Sequence, residues 1–308
     1  MIQEMIPWKK INFYGLEKRY VNKVMGSTWL SEGVFVSKLE KKICKFTKSR
    51  FAVSTSNGTS AIHLAYLALG LKKGDEIIVP GYGYLAAANI AVQMGLKLIF
   101  ADVDVNTFCV TAEKIKNKIT SKTKLIVVIN TYGNVCDLKP IMNLVKNKGI
   151  VVLEDSAESF GSKYRGKQSG TIADIGTFSF QSTKTITCGE GGIVITSKNK
   201  KFEEKLRAFR NHGVKSTKYY HHLPGHNFRL PNLQASIAFA QLKKFSKISK
   251  ERKRVYNYYK KLLNGAIGVS NQIFLPTVSP VIWTFAIILD PKIFFNRDTI
   301  IEMMKKKG

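Results

Sequence analysis

From residue 51 to 197, short β-branched apolar runs alternate with stretches of helical period, and few architectures accept that alternation. Strand candidates fall at 51–56, 76–80, 97–103, 124–130, 150–156, 175–180 and 192–197. Helix-like stretches at 59–70, 84–95, 111–119 and 138–148 lie between several of them. A strand that is apolar along its whole length needs cover on both faces, and an intervening helix is the usual crossover between parallel neighbours. The pattern therefore predicts an α/β fold with a mainly parallel seven-stranded sheet between helices. Sheets of this kind bind ligands beyond the carboxyl ends of their strands.

The pattern changes after residue 198. Charged helical segments at 200–211, 231–245 and 247–264 precede a short β-like stretch at 281–290 and a last helical segment at 297–308. We expect a large α/β domain over 1–229, including an N-terminal arm, and a smaller α+β domain over 230–308 that is incomplete.

Composition narrows the function classes. The formal charge of +28 invites a nucleic-acid partner, but the basic residues spread over 38–49, 114–124, 198–207 and 243–261 with no stacking motif among them. A solvated lysine-rich surface accounts for them, so no nucleic-acid partner is expected. Cys44, Cys109, Cys136 and Cys188 form no Cys-x-x-Cys pair, which argues against zinc and suits a reducing, cytoplasmic setting. The five histidines have no metal-ligand spacing, and no metal is expected. Residues 1–10 lack the apolar core of a signal peptide. The longest apolar region, 77–103, is interrupted by Pro80, Gly81, Gly83 and Gly95, so no membrane span is expected.

The residues able to do chemistry all follow strands: 57–60, 82–84, 155–158 and 179–184. Lys184 lies in a Ser/Thr-rich turn bounded by Gly189, Gly191 and Gly192, and Asp155 closes the apolar run Val151, Val152, Leu153. That pair is what a pyridoxal 5'-phosphate site requires. The amine forms a Schiff base with the cofactor aldehyde, and the carboxylate keeps the pyridine nitrogen protonated so that the ring can accept electrons. An aspartate buried there needs such a cationic partner, because an unpaired buried carboxylate tends to protonate. Gly58 allows a tight turn, and the amides of Thr59 and Ser60 at a helix start can cradle a phosphate, although taken alone the motif reads equally as a helix cap. Ser179 stands close enough to give its hydroxyl to the same phosphate. Tyr84 can lay its ring on a planar cofactor.

With those residues in place, the chain resembles the DegT/DnrJ/EryC1/StrS family of sugar aminotransferases, within the fold-type I pyridoxal phosphate enzymes. The resemblance covers nearly the whole sequence. It runs through Gly26-Ser-Thr-Trp-Leu-Ser-Glu-Gly33, Ser-Asn-Gly-Thr-Ser-Ala-Ile-His-Leu (56–64), Gly74-Asp-Glu-Ile-Ile-Val-Pro80 and Glu-Asp-Ser-Ala-Glu-Ser-Phe-Gly (154–161). The lysine motif and Gly225-His-Asn-Phe-Arg-Leu-Pro-Asn-Leu-Gln-Ala-Ser236 complete it.

The resemblance implies that Lys184 bonds the cofactor, Asp155 pairs with the ring nitrogen and Glu158 lies near the ring hydroxyl. It gives the phosphate to Thr59, Ser60 and Ser179 and the ring face to Tyr84. It further implies that Asn227 reaches the cofactor of a neighbouring subunit, hence a homodimer with shared sites, and that Trp29, His221 and Arg229 contact substrate. L-glutamate is the implied donor and a nucleotide-linked keto sugar the acceptor. Glu158 where many relatives have Gln, Lys-Thr-Ile-Thr-x-Gly-Glu-Gly-Gly from Lys184, and Tyr-Tyr-His at 219–221 point to the branch that aminates C4 of GDP-4-keto-6-deoxymannose for surface polysaccharides. The alternatives are a UDP- or dTDP-linked keto sugar, or a shortened and inactive cofactor-binding remnant, since family members usually continue several dozen residues further. Sugar 3-dehydratases of the family carry histidine in place of the lysine, so Lys184 favours transamination. His226 departs from the aromatic common at its position.

Overall fold

The computed structural model describes residues 6–8, 10–215, 217, 219–294 and 296–308. Residues 1–5 and 9 of the N-terminal segment considered above for leader character lie outside the described residues.

All seven strand candidates enter one sheet. Its strands are β1 (Phe51–Thr55), β2 (Glu76–Pro80), β3 (Lys97–Ala101), β4 (Thr123–Ile129), β5 (Val151–Asp155), β8 (Ile175–Ser179) and β9 (Gly192–Thr196), in the order β1-β9-β8-β5-β4-β2-β3. Two-residue strands β6 (Lys163–Tyr164) and β7 (Lys167–Gln168) form a separate hairpin between β5 and β8. β9 runs antiparallel to both of its neighbours, and the five strands from β8 to β3 are parallel. Helices α1 (Leu16–Ser27) and α2 (Val34–Thr47) precede the sheet; α3 (Gly58–Leu69), α4 (Ala86–Gln93), α5 (Ala112–Lys116), α6 (Leu138–Val145) and α7 (Lys200–Arg210) alternate with or follow its strands. α8 (Asn232–Lys243) and α9 (Phe245–Leu262) come next.

The period of two along each strand divides the core. Ile77, Val79, Leu125, Val127, Leu153 and Val194 face one way and pack with α3, α4 and α7. Ile78, Ile126, Val128 and Val152 face the other way, onto Ile115, Leu138, Ile141 and Val145 of α5 and α6. On that same side Phe178, Ile193 and Ile195 meet Phe35, Leu39 and Ile43 of α2 and Ala235 and Ala238 of α8. Burial of both sets is what makes these strands apolar throughout.

The same alternation separates two adjacent carboxylates. Glu154 is wholly buried, where it accepts hydrogen bonds from the amides of Gly170, Ile172 and Ala173 and from Asn130. Those four donors offset the burial that raises its pKa, and they make Glu154 a structural strut. Asp155 points to the opposite face, toward α3.

One expectation is corrected. The β-like stretch at 281–290 is not one strand: only β12 (Ile287–Leu289) is extended, paired antiparallel with β10 (Val269–Asn271). Ahead of it, β11 (Val278–Ser279) pairs with β6, and the chain then turns inward over the sheet. Val281 donates its amide to Ser162 Oγ at 2.8 Å. Gly133 permits the approach: its φ is +95°, and a Cβ there would lie 2.5 Å from the Val281 carbonyl oxygen. A last helix, α10 (Arg297–Lys306), follows. Among the described residues no helix is long and apolar enough to cross a membrane.

Candidate active site

The loop after β8 is built to hold one lysine still. Phe180 donates its amide to the Gly191 carbonyl, Thr183 donates amide and hydroxyl to Gln181 Oε1 at 2.7 Å each, and the Lys184 amide reaches the Gln181 carbonyl at 2.9 Å. From the far end of the chain, Arg252 of α9 donates to the carbonyls of Thr183 (3.4 Å) and Lys184 (3.1 Å). Trp283 donates its indole N–H to the Thr183 carbonyl at 2.9 Å. The Lys184 side chain is left 13% exposed, with Nζ 3.5 Å from Glu158 Oε1 and 3.9 Å from the centre of the Trp283 ring.

Glu158 is fixed from its other side. Its Oε2 accepts the Tyr132 amide at 3.0 Å. Tyr132 has φ 57° and ψ 28°, a left-handed conformation that costs a non-glycine residue about 1 kcal/mol. That backbone aims the amide at Glu158 while the ring stacks on Trp283, with centroids 5.9 Å apart. Burial raises the Glu158 pKa, and the Lys184 ammonium opposes the rise.

Asp155 is 5% exposed. Burial pushes its carboxyl up to about 6, against the Ala157 amide and the charge of Lys184, which favour ionisation. Among the described residues it accepts one hydrogen bond, at Oδ1 from Ala157. Asp155 and the half-buried Glu158 thus share the Lys184 ammonium, and a further cation against Asp155 would favour its charged form.

The start of α3 comes directly against Ser179. Gly58 has ordinary helical backbone there, so the tight-turn reason given for it is corrected: what it supplies is room. A Cβ on Gly58 would lie 2.8 Å from the Ser179 Cβ. Asn57 caps the helix by accepting the Ser60 amide at 2.7 Å, so Ser60 can offer a phosphate its hydroxyl but not its amide. The Ser60 hydroxyl accepts from Ser56 Oγ at 3.1 Å. Thr59 occupies the first turn beside it.

Lys184, Glu158, Asp155 and the Gly58–Ser179 contact therefore gather at the carboxyl ends of β1, β5 and β8. Tyr84 is 76% exposed beyond β2. Asn227 accepts from Arg229 Nε at 3.0 Å, and Arg229 is paired with Glu32 at 3.0 Å. Arg229 and Trp29 line a cavity of ≈ 450 Å³ together with Arg207 and Arg210, whose guanidinium groups are paired with Glu40. That lining includes none of Asp155, Glu158 and Lys184. His221 Nδ1 lies 2.7 Å from the His212 carbonyl oxygen on an exposed loop.

Sequence reasoning missed Tyr132, Arg252 and Trp283. They stand 52, 68 and 99 residues from the lysine in no motif, and only the inward turn at 281–283 could have drawn notice, through Pro280 three residues before a tryptophan.

The residues present fit a pyridine-type cofactor with a phosphate. Gly58 lets a helix start close against a serine hydroxyl, a pairing suited to a phosphate, and Asp155 keeps one carboxylate oxygen that accepts no hydrogen bond among the described residues, suited to a ring N–H.

Comparison with known proteins follows the same line. The DegT/DnrJ/EryC1/StrS aminotransferase family matches residues 14–308. The chain is similar to the GDP-perosamine synthase of Escherichia coli O157:H7, 40% identical over 269 residues that make up 87% of this chain and 74% of that protein. It is 36% identical to the GDP-perosamine synthase of Vibrio cholerae over 303 residues, 98% of this chain and 82% of the other. Its fold superposes on the E. coli GDP-4-keto-6-deoxy-D-mannose-3-dehydratase solved with bound hydrated PLP, with a TM-score of 0.91 at 28% identity, covering 98% of this chain and 83% of that one.

Proposed function

The chain belongs to the DegT/DnrJ/EryC1/StrS aminotransferase family, and from that premise we propose that it moves an amino group from L-glutamate to C4 of GDP-4-keto-6-deoxymannose. It is a sugar aminotransferase and its cofactor is pyridoxal 5'-phosphate. Bound, that cofactor supplies an aldehyde to an amine and a ring that accepts an electron pair.

The residues of this chain do the rest. Asp155 holds the N–H of the cofactor ring, a cation that keeps its buried carboxylate ionised. Gly58, Thr59, Ser60 and Ser179 hold the phosphate, and Tyr84 covers the ring. Asn227 of a second copy completes the phosphate site, so the working unit is a homodimer. Glu158 lies by the ring hydroxyl and keeps Nζ of Lys184 close. Lys184 anchors the cofactor; once displaced by the donor, its Nζ takes the donor's α-proton and later gives it up. Trp29, His221 and Arg229 meet the nucleotide sugar. Residues 1–229 carry the cofactor and residues 230–308 form the smaller part that covers it.

One observation carries this reading: a primary amine, Lys184 Nζ, sits beside Glu158 in a loop clamped by Arg252 and Trp283. An imidazole at that position would offer the cofactor aldehyde no primary amine, so the amine supports transfer over dehydration. The GDP-linked acceptor is supported by the two GDP-perosamine synthases that the chain resembles. The test is incubation of the purified protein with cofactor, glutamate and GDP-, UDP- and dTDP-linked 4-keto-6-deoxy sugars, followed by mass spectrometry. Exchange of oxygen for an amine on the GDP sugar is the expected result. Exchange on a UDP or dTDP sugar alone moves the acceptor, and exchange on none, with glutamate failing to bleach the cofactor colour, sinks the assignment as an active enzyme.

A further inference from the structure

We propose that Trp283 is a positioning residue for the proton-carrying amine: its indole face is the seat of the Lys184 ammonium when Nζ is free. The inference rests on the reading of Lys184 given above and extends it to what happens after the lysine is displaced.

Nζ lies 3.9 Å from the Trp283 ring centre, and its side chain is 13% exposed. Little water reaches the charge, so the negative face of the ring and Glu158 Oε1 at 3.5 Å stand in for it. Tryptophan has the strongest face of the aromatic side chains for this purpose.

The ring is held from every side. Its N–H is bound to the Thr183 carbonyl, and its own carbonyl accepts Arg252 Nη1 at 2.7 Å. The ring also stacks on Tyr132 at an interplanar angle of 18°. Tyr132 in turn gives its amide to Glu158, and Glu158 returns to Nζ, which closes a circuit of four residues: Lys184, Trp283, Tyr132, Glu158. A ring fixed in this way keeps its face toward the ammonium.

The chemical consequence lies in the proton transfer. The donor's Cα–H bond breaks, an N–H bond forms on Nζ, the electron pair stays with the carbon fragment, and the lysine becomes positive. A surface that receives the ammonium as it forms lowers the barrier to that step and holds Nζ where the carbon will need the proton back. On this proposal the face acts on Nζ after the donor has displaced it, so its effect is expected in the rate of the half-reaction and not in the donor KM.

Two measurements test this. In the apoprotein, Lys184→Met removes the charge from the ring, and the tryptophan emission changes; in a Trp283→Phe background the same substitution is silent. In the loaded enzyme, Trp283→Leu slows the half-reaction with glutamate about 10-fold and raises the α-deuterium isotope effect, with KM unchanged, while Trp283→Phe keeps a weaker face and stays within about 3-fold of the parent. An unchanged emission, a Leu variant at the parent rate, or a Phe variant as slow as the Leu variant overturns the proposal; the last outcome assigns Trp283 to its N–H clamp alone. Should the Leu variant not fold, the emission arm decides by itself. Borohydride reduction and peptide mapping of the parent protein separate the two levels: a label away from Lys184 overturns the lysine reading as well, whereas a label on Lys184 with unchanged rates overturns only the role of Trp283.

Discussion

Gly58 and Ser179, from the start of α3 and the end of β8, approach so closely that a methyl group on the first would sit 2.8 Å from the Cβ of the second. Nothing shorter than a shift of helix or strand makes space for it. Gly58→Ala is therefore expected to cost about 1–3 kcal/mol of stability and to weaken pyridoxal phosphate binding, because the serine hydroxyl and the helix start move apart. Chemical denaturation and cofactor titration measure both; an alanine variant with parent affinity means that this contact does not hold the phosphate.

Asp155 makes the apoprotein sensitive to pH. Its carboxyl titrates near 6 in the fold and near 3.8 in the unfolded chain. Between those values the folded state keeps a proton that the unfolded state has released, so stability falls as pH rises through the window and stays lower above it. Asp155→Asn lacks this loss. Its apoprotein gains on the parent by up to about 3 kcal/mol between pH of about 4 and about 7. The order reverses with cofactor bound, since the ring nitrogen then has no anion to meet. Denaturation curves of both proteins, empty and loaded, test the pair of statements; a gap independent of pH contradicts them.

Lys184→Ala is expected to reduce transamination by about 10³-fold or more, since one substitution removes both the covalent anchor and the proton carrier. The same change leaves Glu158 and Asp155 without their ammonium, so both carboxyls titrate higher still. A variant that retains parent turnover would end the lysine assignment.

Arg252→Met tests the clamp on the lysine loop. The guanidinium serves three carbonyls, those of Thr183, Lys184 and Trp283, and burial lowers its pKa. Its loss leaves those acceptors unsatisfied, at about 1–3 kcal/mol. Hydrogen exchange is expected to rise in the 181–188 loop more than in the sheet. Uniform exchange across both would assign Arg252 to general stability.

The sheet was legible because all its strands except the edge strand β3 are buried on both faces, which writes uninterrupted apolar runs such as Leu125 to Ile129 into the chain. Lys184 and Asp155 were legible because each follows such a run within a few residues. Tyr132, Arg252 and Trp283 were not, since each acts on the lysine through the path of the backbone and not through its neighbours in order. The adjacent pair Glu154 and Asp155 marks the boundary between the two cases. Strand alternation says that they face opposite ways, but which one meets the site depends on where the donors from 170–173 and Asn130 fall.

Clamping of the 183–184 carbonyls by Arg252 and Trp283 has a bearing on how the protein matures. During synthesis the reactive amine leaves the ribosome about a hundred residues ahead of the tryptophan that seats it. All seven strands of the sheet have been made before Arg252 and Trp283 are added to the chain. A nascent chain therefore holds an assembled sheet before it holds a finished cofactor pocket, and free vitamin meets a competent lysine only when the last third of the polypeptide has folded back.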